Sequence, residues 1–539
     1  MSKARAAIGW IRAITVPGVV LLALAGCGGG GGSSIGGGGG GGGGGVAGSL
    51  GYSDPNAVVA QAAGSVTLSV NRVGGSSGAV TVNYATSDGT AKAGSDYTQT
   101  SGMLNWADGD ASPKSFSVPV SNATAFAVTR AFNAVLSAPG GGASLGTITS
   151  VAVAINGSGG PSGANQVAVT LSSGPAGVAA FNILYTTATI CVHGTATCAT
   201  LSNVQVDTGS VGFRVLNAAL MGTSVSSAAL APVMLPGGAL VECTQFADGY
   251  SWGPVKTADI TVGGETASNV NIQVIGDPTY EGSIPSQCSS NVNVEEDTIA
   301  AFGANAILGI GNWLGDCGSS SANCATDGSA YNTCTTSSPV SCQPTAVTSS
   351  QWVMNPVAAF GTDSNGVLIQ LQAVPDSGAA NPTGILTFGI GTQSNNQLPT
   401  TAIVYQLDPN YGTFSTVFGS STLSTSFIDS GSNGYFFPDS ALTACAVSTS
   451  FYCPTTPQFF TATITDASSG MRTVTEAFTV SSVDAISASD TASSGAAGPT
   501  GSTETDTFDW GAPFFFGRSV FIGLAGQTIG GVAGPADAF

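Results

Sequence analysis

The chain has 539 residues, enough for more than one domain, and its 42% apolar content is ample for real cores. Acidic residues outnumber basic ones 30 to 11, and the net charge of −19 excludes nucleic acid and an anionic membrane surface as electrostatic partners. Gly, Ser, Thr and Val dominate while Glu/Lys/Leu helical patterns are missing, so the ordered parts are expected to be all-β.

The first 27 residues read as an address. Lys3, Arg5 and Arg12 precede a short apolar run, Ala13 to Ala25, which suits a signal peptide and is too short to span a bilayer. Leu24-Ala25-Gly26-Cys27 resembles the bacterial lipoprotein box, which implies lipidation of Cys27 and a cell-envelope location. Gly28 stands where an inner-membrane retention aspartate would be, which favours the outer membrane; an ordinary secretory signal is the alternative. Residues 28–48 are nearly all glycine, and 28–51 are expected to be a flexible tether. No Lys-Ser or Lys-Thr follows the glycines, so they are not a phosphate loop.

Export gives the other cysteines a meaning. Ten remain after Cys27, and in an oxidising compartment they read as disulfides, with Cys191–Cys198 and Cys445–Cys453 as local loop closures. His193, the one histidine, lies in "CVHGTATC". Zinc sites needing several imidazoles are therefore excluded, and a Ser-His-Asp triad would have to use His193 without any G-x-S-x-G elbow.

Residues 52–158 alternate apolar and polar positions in short runs such as "SVTLSVNRV", "AVTVNYATS" and "KSFSVPVS", separated by Gly/Asp turns. The pattern predicts a small antiparallel β-sandwich. "AVTVNYATSDGTAKAGSDYTQTSGMLNWADGDASPKSFSVPV" resembles the Calx-beta domain, whose members often bind calcium through acidic clusters. Arg130 stands where that family usually has glutamate, leaving Asp88, Asp96, Asp108 and Asp110 as the calcium candidates. Aspartate beside glycine is also turn chemistry, so a spacer role is the preferred expectation for this module, with calcium as the cofactor to test.

Residues 159–165 read as a linker, and residues 166–539 as one unit of two related halves, about 166–375 and 376–539. "VQVDTGSVGFRVL" at 204–216 and "SFIDSGSNGYFFP" at 426–438 share one design: an apolar strand, Asp-[Thr/Ser]-Gly-Ser, then another apolar strand. Asp376-Ser377-Gly378 follows Pro375 and continues into small residues, which marks it as a plain turn. Each block has a later apolar-Gly segment, "AILGIG" (306–311) for the first and "PFFFGRSVF" (513–521) for the second.

Here the chain resembles the pepsin-like aspartic proteases, and its "PFFFGRSVF…GPADAF" ending resembles a poorly characterised bacterial branch related to them. "CTQFADGYSWGPVKTADITVGG" (243–264) looks like their flap hairpin, and "GILTFGIG" (384–391) like the opening of their second lobe. The expected fold is thus an all-β chain, a bilobal pepsin-like domain preceded by a Calx-beta sandwich. The resemblance makes Asp207 and Asp429 the catalytic pair, two carboxyls that share a proton and activate a water. Thr208, Gly209, Ser210, Ser430, Gly431 and Ser432 are then expected to support them, the glycines by permitting close approach. No metal or organic cofactor is needed for that chemistry.

The flap would carry Phe246, Asp248 and Gly249, with Phe246 where the family has tyrosine. Arg214 replaces an apolar residue and is expected to contact substrate or to favour ionised carboxyls. "YFFP" and "PFFFG" read as lobe core in preference to substrate subsites, and 312–342 as a disulfide-stapled insertion that rims the cleft or caps a loop. Residues 484–506 read as a polar mobile loop. The functional expectation is a surface-anchored aspartic endopeptidase acting on peptide or protein. The alternatives are an inactive pepsin-fold lipoprotein that binds peptides or another partner, and a Calx-beta adhesin-like structural lipoprotein.

Overall fold

A computed structural model describes residues 45–289, 294–319, 324, 330–468, 470, 472–501 and 504–539. The signal peptide, Cys27 and most of the tether lie outside the described residues. What is described is strand and loop: the α-helices there, Asn217–Leu220 and Ile299–Phe302, have four residues each. Among the described residues no helix is long and apolar enough to cross a membrane.

The described residues form two compact units. The first holds residues 45–125 and 130–155 in a four-stranded and a five-stranded sheet. Period-2 alternation decides which side chains fill the space between them. In Ser65–Val73 the residues Val66, Leu68, Val70 and Arg72 are buried while their neighbours face out. Arg72 is tolerated inside because its guanidinium donates to the carbonyls of Ala47, Ala107, Asp110, Ser77 and Gly78. Stacked rings, Tyr84 on Phe116 at 3.8 Å and Tyr97 on Phe132 at 4.2 Å, complete this core.

The second unit holds residues 156–539 with Phe126–Thr129. Its first strand, Gln166–Leu171, pairs antiparallel with Thr383–Phe388, which also pairs with Gly366–Leu371. Gly366–Leu371 in turn pairs with Ser519–Gly523, so one sheet ties the beginning, middle and end of the unit together.

Within the unit one motif occurs twice. Cys198–Asp207 and Val211–Leu216 lead into and out of the first Asp loop, and Ala306–Ile310 inserts between them, parallel to the first and antiparallel to the second. Ser421–Ile428 and Tyr435–Phe436 flank the second Asp loop, and Asp509–Trp510 inserts between them in the same two senses. This corrects the second apolar-Gly assignment. The inserted segment is Asp509-Trp510-Gly511, just ahead of "PFFFGRSVF", whose residues Ser519–Gly523 belong to the connecting sheet. The aromatic run misdirects because both segments are apolar and glycine-bearing; only strand pairing separates them.

The aromatic runs are core. Phe436, Phe437, Phe514 and Phe515 are buried, with Phe437 stacked on Phe508 at 5.0 Å. Five disulfides form, Cys191–Cys198, Cys243–Cys288, Cys317–Cys324, Cys334–Cys342 and Cys445–Cys453, including both expected local closures. The 312–342 insertion adds its strand Tyr331–Cys334 to the edge of Gly238–Gln245.

Residues 484–506 depart from the mobile-loop expectation. Thr491, Ala492, Ser493, Ala496 and Ala497 are buried. Asn182 Nδ2 donates to the Ser493 carbonyl, and the Ser493 N–H donates back to Asn182 Oδ1. Small Ala and Ser side chains, which mimic a disordered composition, here allow backbone to pack against backbone.

Candidate active site

The two Asp loops meet back to back. The Thr208 N–H donates to Ser430 Oγ at 3.1 Å, and the Ser430 N–H donates to Thr208 Oγ1 at 2.9 Å. Each hydroxyl then donates across to the strand that enters the opposite loop: Ser430 Oγ to the Val206 carbonyl at 2.9 Å, Thr208 Oγ1 to that of Ile428 at 3.3 Å. Both hydroxyls and both N–H groups of this clasp thus have a partner from the other copy, as burial requires.

Each aspartate is oriented by its own loop. Asp207 Oδ1 accepts from the N–H groups of Gly209 at 2.8 Å and Ser210 at 3.2 Å, and Ser210 Oγ donates to Asp207 Oδ2. Asp429 Oδ1 accepts from the Gly431 N–H at 2.7 Å, and Ser432 Oγ donates to Asp429 Oδ2 at 2.8 Å.

The glycines permit the approach. A Cβ on Gly209 would lie 2.5 Å from the Asp429 carboxyl carbon. One on Gly431 would lie 2.7 Å from the Asp207 carboxyl carbon and 3.1 Å from Asp429 Oδ1, so both carboxyls face one point. Asp429 is 0% exposed and Asp207 5%. Burial, then the charge of Asp207, push the Asp429 carboxyl well above the usual carboxylate range. The Asp207 carboxyl lies close enough to act on Asp429 both through its charge and through a side-chain hydrogen bond.

The hairpin Gly238–Gln245/Tyr250–Val262 turns through residues 246–249, closed by the Phe246 N–H on the Gly249 carbonyl at 2.8 Å. Asp248 and Gly249 form its tip. Phe246 differs from expectation: its ring packs inward with Tyr185, Leu216, Phe302 and Ile307, 6.2 Å from the Phe302 ring. Without a hydroxyl to satisfy, that side chain gains more from the core than from a wet cleft. A Cβ on Gly249 would touch the Glu296 carboxyl, and Glu296 is raised to about 9 by burial and then by the charge of Asp248.

The substrate-contact expectation for Arg214 is corrected. Arg214 is 1% exposed, and its guanidinium donates to Thr244 Oγ1, the Val211 carbonyl, Glu242 Oε1 and, at 3.4 Å, Asp316 Oδ2. It ties the first Asp loop's outgoing strand to the hairpin from inside. Asp376 sits in a turn closed by the Gly378 N–H on the Pro375 carbonyl and accepts from the distant Ser481 Oγ, and His193 of the stapled loop pairs with Asp259 on the strand Tyr250–Val262.

One residue of the site was missed. Asp509 lies on the strand inserted at the second loop, and Ser432 and Asp429 act on its carboxyl. The first half gave the signal: Asp207 pairs with Gly309, so Asp429 should face a later glycine with two residues of strand before it, and "FDWG" supplies them.

The sequence profile described as "Protein of unknown function (DUF3443)" matches residues 161–539. The chain belongs to the DUF3443 family. A Calx-beta domain profile matches residues 46–156, and the sandwich that precedes the DUF3443 unit is a Calx-beta domain. Among solved structures, the apo-form Calx CBD1 domain is 27% identical over 20% of this chain and 94% of its own, with a TM-score of 0.19. The Calx CBD2 domain is 19% identical over 21% and 89%, with a TM-score of 0.20. The calcium binding domain CBD12 of CALX1.1 is 19% identical over 28% and 69%, with a TM-score of 0.21. No curated protein matches the chain.

In the Calx-beta domain the four candidate acids already have partners within the chain. Asp96 pairs with Arg130 at 2.6 Å and Asp110 with Lys114 at 2.7 Å. Asp88 accepts from Tyr97 and the Ala93 N–H, and Asp108 from the Gly78 N–H. Among the described residues no three acids of this domain converge. Calcium there would compete with Arg130 for Asp96.

Proposed function

We propose that the DUF3443 unit is a bilobal, pepsin-like aspartic endopeptidase whose water is activated between Asp207 and Asp429. The observation that carries the proposal is the reciprocal Thr208/Ser430 clasp, which brings two identically built Asp loops to one point. Asp429, whose proton burial retains, acts as the acid toward the scissile carbonyl oxygen. Asp207 takes a proton from the water as its oxygen bonds to the carbonyl carbon. Collapse of the tetrahedral intermediate breaks the C–N bond, with one proton going to the leaving amine nitrogen. A chain lipidated at Cys27 and held at the outer membrane would present this site to peptides outside the cell.

The comparisons favour a second reading. The Calx-beta domain suggests an adhesin-like structural role, and in that case the DUF3443 unit binds peptide or another partner without cleaving it. Calcium on the Calx-beta domain belongs with this reading. Pepstatin, which mimics the tetrahedral intermediate, separates the two. The peptidase reading expects saturable binding at acidic pH that is weakened by Asp429→Asn; no binding by a folded chain would favour the structural role.

A further inference from the structure

Asp509 is the carboxyl that the two loops do not account for. It opens the short inserted strand of the second half, opposite Phe427 on one side and Phe436 on the other. Register makes it the counterpart of Ile307, since Ile307 precedes Gly309 as Asp509 precedes Gly511. One copy of the motif therefore carries a buried acid where the other carries a buried apolar side chain.

Asp509 has no exposed surface, and among the described residues neither of its oxygens has a well-formed hydrogen bond. Among the described residues, the groups that act most on it are the carboxylates of Asp429, Glu504 and Asp207 and the hydroxyl of Ser432. Burial first, and the Asp429 charge after it, push this carboxyl well above the usual range. In such surroundings the un-ionised acid is the stable form, and it has one O–H to donate.

We propose that Asp509 is a positioning residue for the dyad: its carboxyl donates to Ser432 Oγ and so aims the Ser432 proton at Asp429 Oδ2. The Ser432-to-Asp429 bond is formed at 2.8 Å, and a proton on the otherwise unpartnered Asp509 carboxyl would extend it backwards into a chain that runs in one direction, Asp509 to Ser432 to Asp429. Ser210 makes the same contact with Asp207, but Ile307 offers it no donor from behind. The two chemically similar aspartates are thereby made unequal, because the Ser432 donor lowers the Asp429 carboxyl against the burial and the Asp207 charge that raise it. If Asp509 ionises as pH rises, the Ser432 proton turns toward it and leaves Asp429 Oδ2. The proposal deepens the dyad reading and rests on it for its catalytic meaning.

Two variants of the full chain test it, Asp509→Asn and Asp509→Leu. Infrared difference spectra at pH 7 should show the carbonyl stretch of an un-ionised carboxyl in wild type minus Asp509→Asn. Absence of that band overturns the proposal whether or not the chain cleaves peptides. In cleavage assays Asn, which still donates but cannot ionise, should keep kcat within about threefold of wild type and extend the alkaline limb of the rate profile by about half a pH unit or more. Leu should lower kcat about tenfold or more with KM little changed. A Leu variant as fast as wild type, or an Asn profile superimposable on wild type, overturns the positioning role. Absence of cleavage in every protein with the infrared band present would instead count against the dyad reading.

Discussion

Thr208 and Ser430 hold one another's loops: each backbone N–H donates to the other's hydroxyl, at 3.1 and 2.9 Å, across 222 residues of chain. Thr208→Val keeps the shape and leaves the Ser430 N–H buried without its acceptor. The expected cost is about 1–3 kcal/mol, read as a lower denaturant midpoint at unchanged slope. Ser430→Ala should cost about the same, and the double variant clearly less than the sum, because the clasp is lost once. Strict additivity in that cycle would mean that the two contacts act independently.

Gly209 and Gly431 should be intolerant for a steric reason. A Cβ on Gly209 meets the Asp429 carboxyl at 2.5 Å, whereas one on Gly361 meets nothing within 4 Å. Gly209→Ala is expected to separate the carboxyls and abolish cleavage, while Gly361→Ala stays within about 0.5 kcal/mol of wild type. Equal tolerance at both positions in a thermal melt and an activity assay would contradict the close approach.

Arg214 should matter to stability rather than to substrate binding. Arg214→Met leaves Glu242 and Asp316 buried without their cation, at a cost of about 3–5 kcal/mol. Denaturant unfolding measures that cost. A fully stable variant with an altered KM would return Arg214 to the cleft.

Glu296 should make stability pH-dependent. Its folded-state pKa, about 9, lies above the ordinary 4.5, so the folded chain binds the extra proton between those values. The stability tied to this proton is complete below about pH 4.5 and is lost as pH rises through about 9. Glu296→Gln should flatten that decline, most clearly in melts near pH 8. Parallel melting curves for both proteins across this range would show that the hairpin tip carries no such proton.

Much of the site is legible because its design is repeated. "VQVDTGS" and "SFIDSGS" announce two loops, and their Thr and Ser hydroxyls become the clasp. The Calx-beta strands are legible because alternation maps directly onto two faces. Asp509 was hidden because "PFFFG" offers a stronger apolar signal a few residues later, and strand pairing is a long-range property. Arg214 misled because a charge beside an acid loop looks like a ligand contact until Glu242 and Asp316, distant in sequence, close around it. Thr491 and Ser493 misled because small polar residues read alike in a loop and in a tightly packed seam.

The central claim is that Asp207 and Asp429 work as one machine, and single-carboxamide variants test it most directly. Rates of cleavage of a denatured protein at acidic pH should be compared for wild type, Asp207→Asn and Asp429→Asn, with circular dichroism confirming the fold of each. Wild type is expected to cleave, and each variant to be slower by about a thousandfold or more. Wild-type rates in either variant would contradict the account.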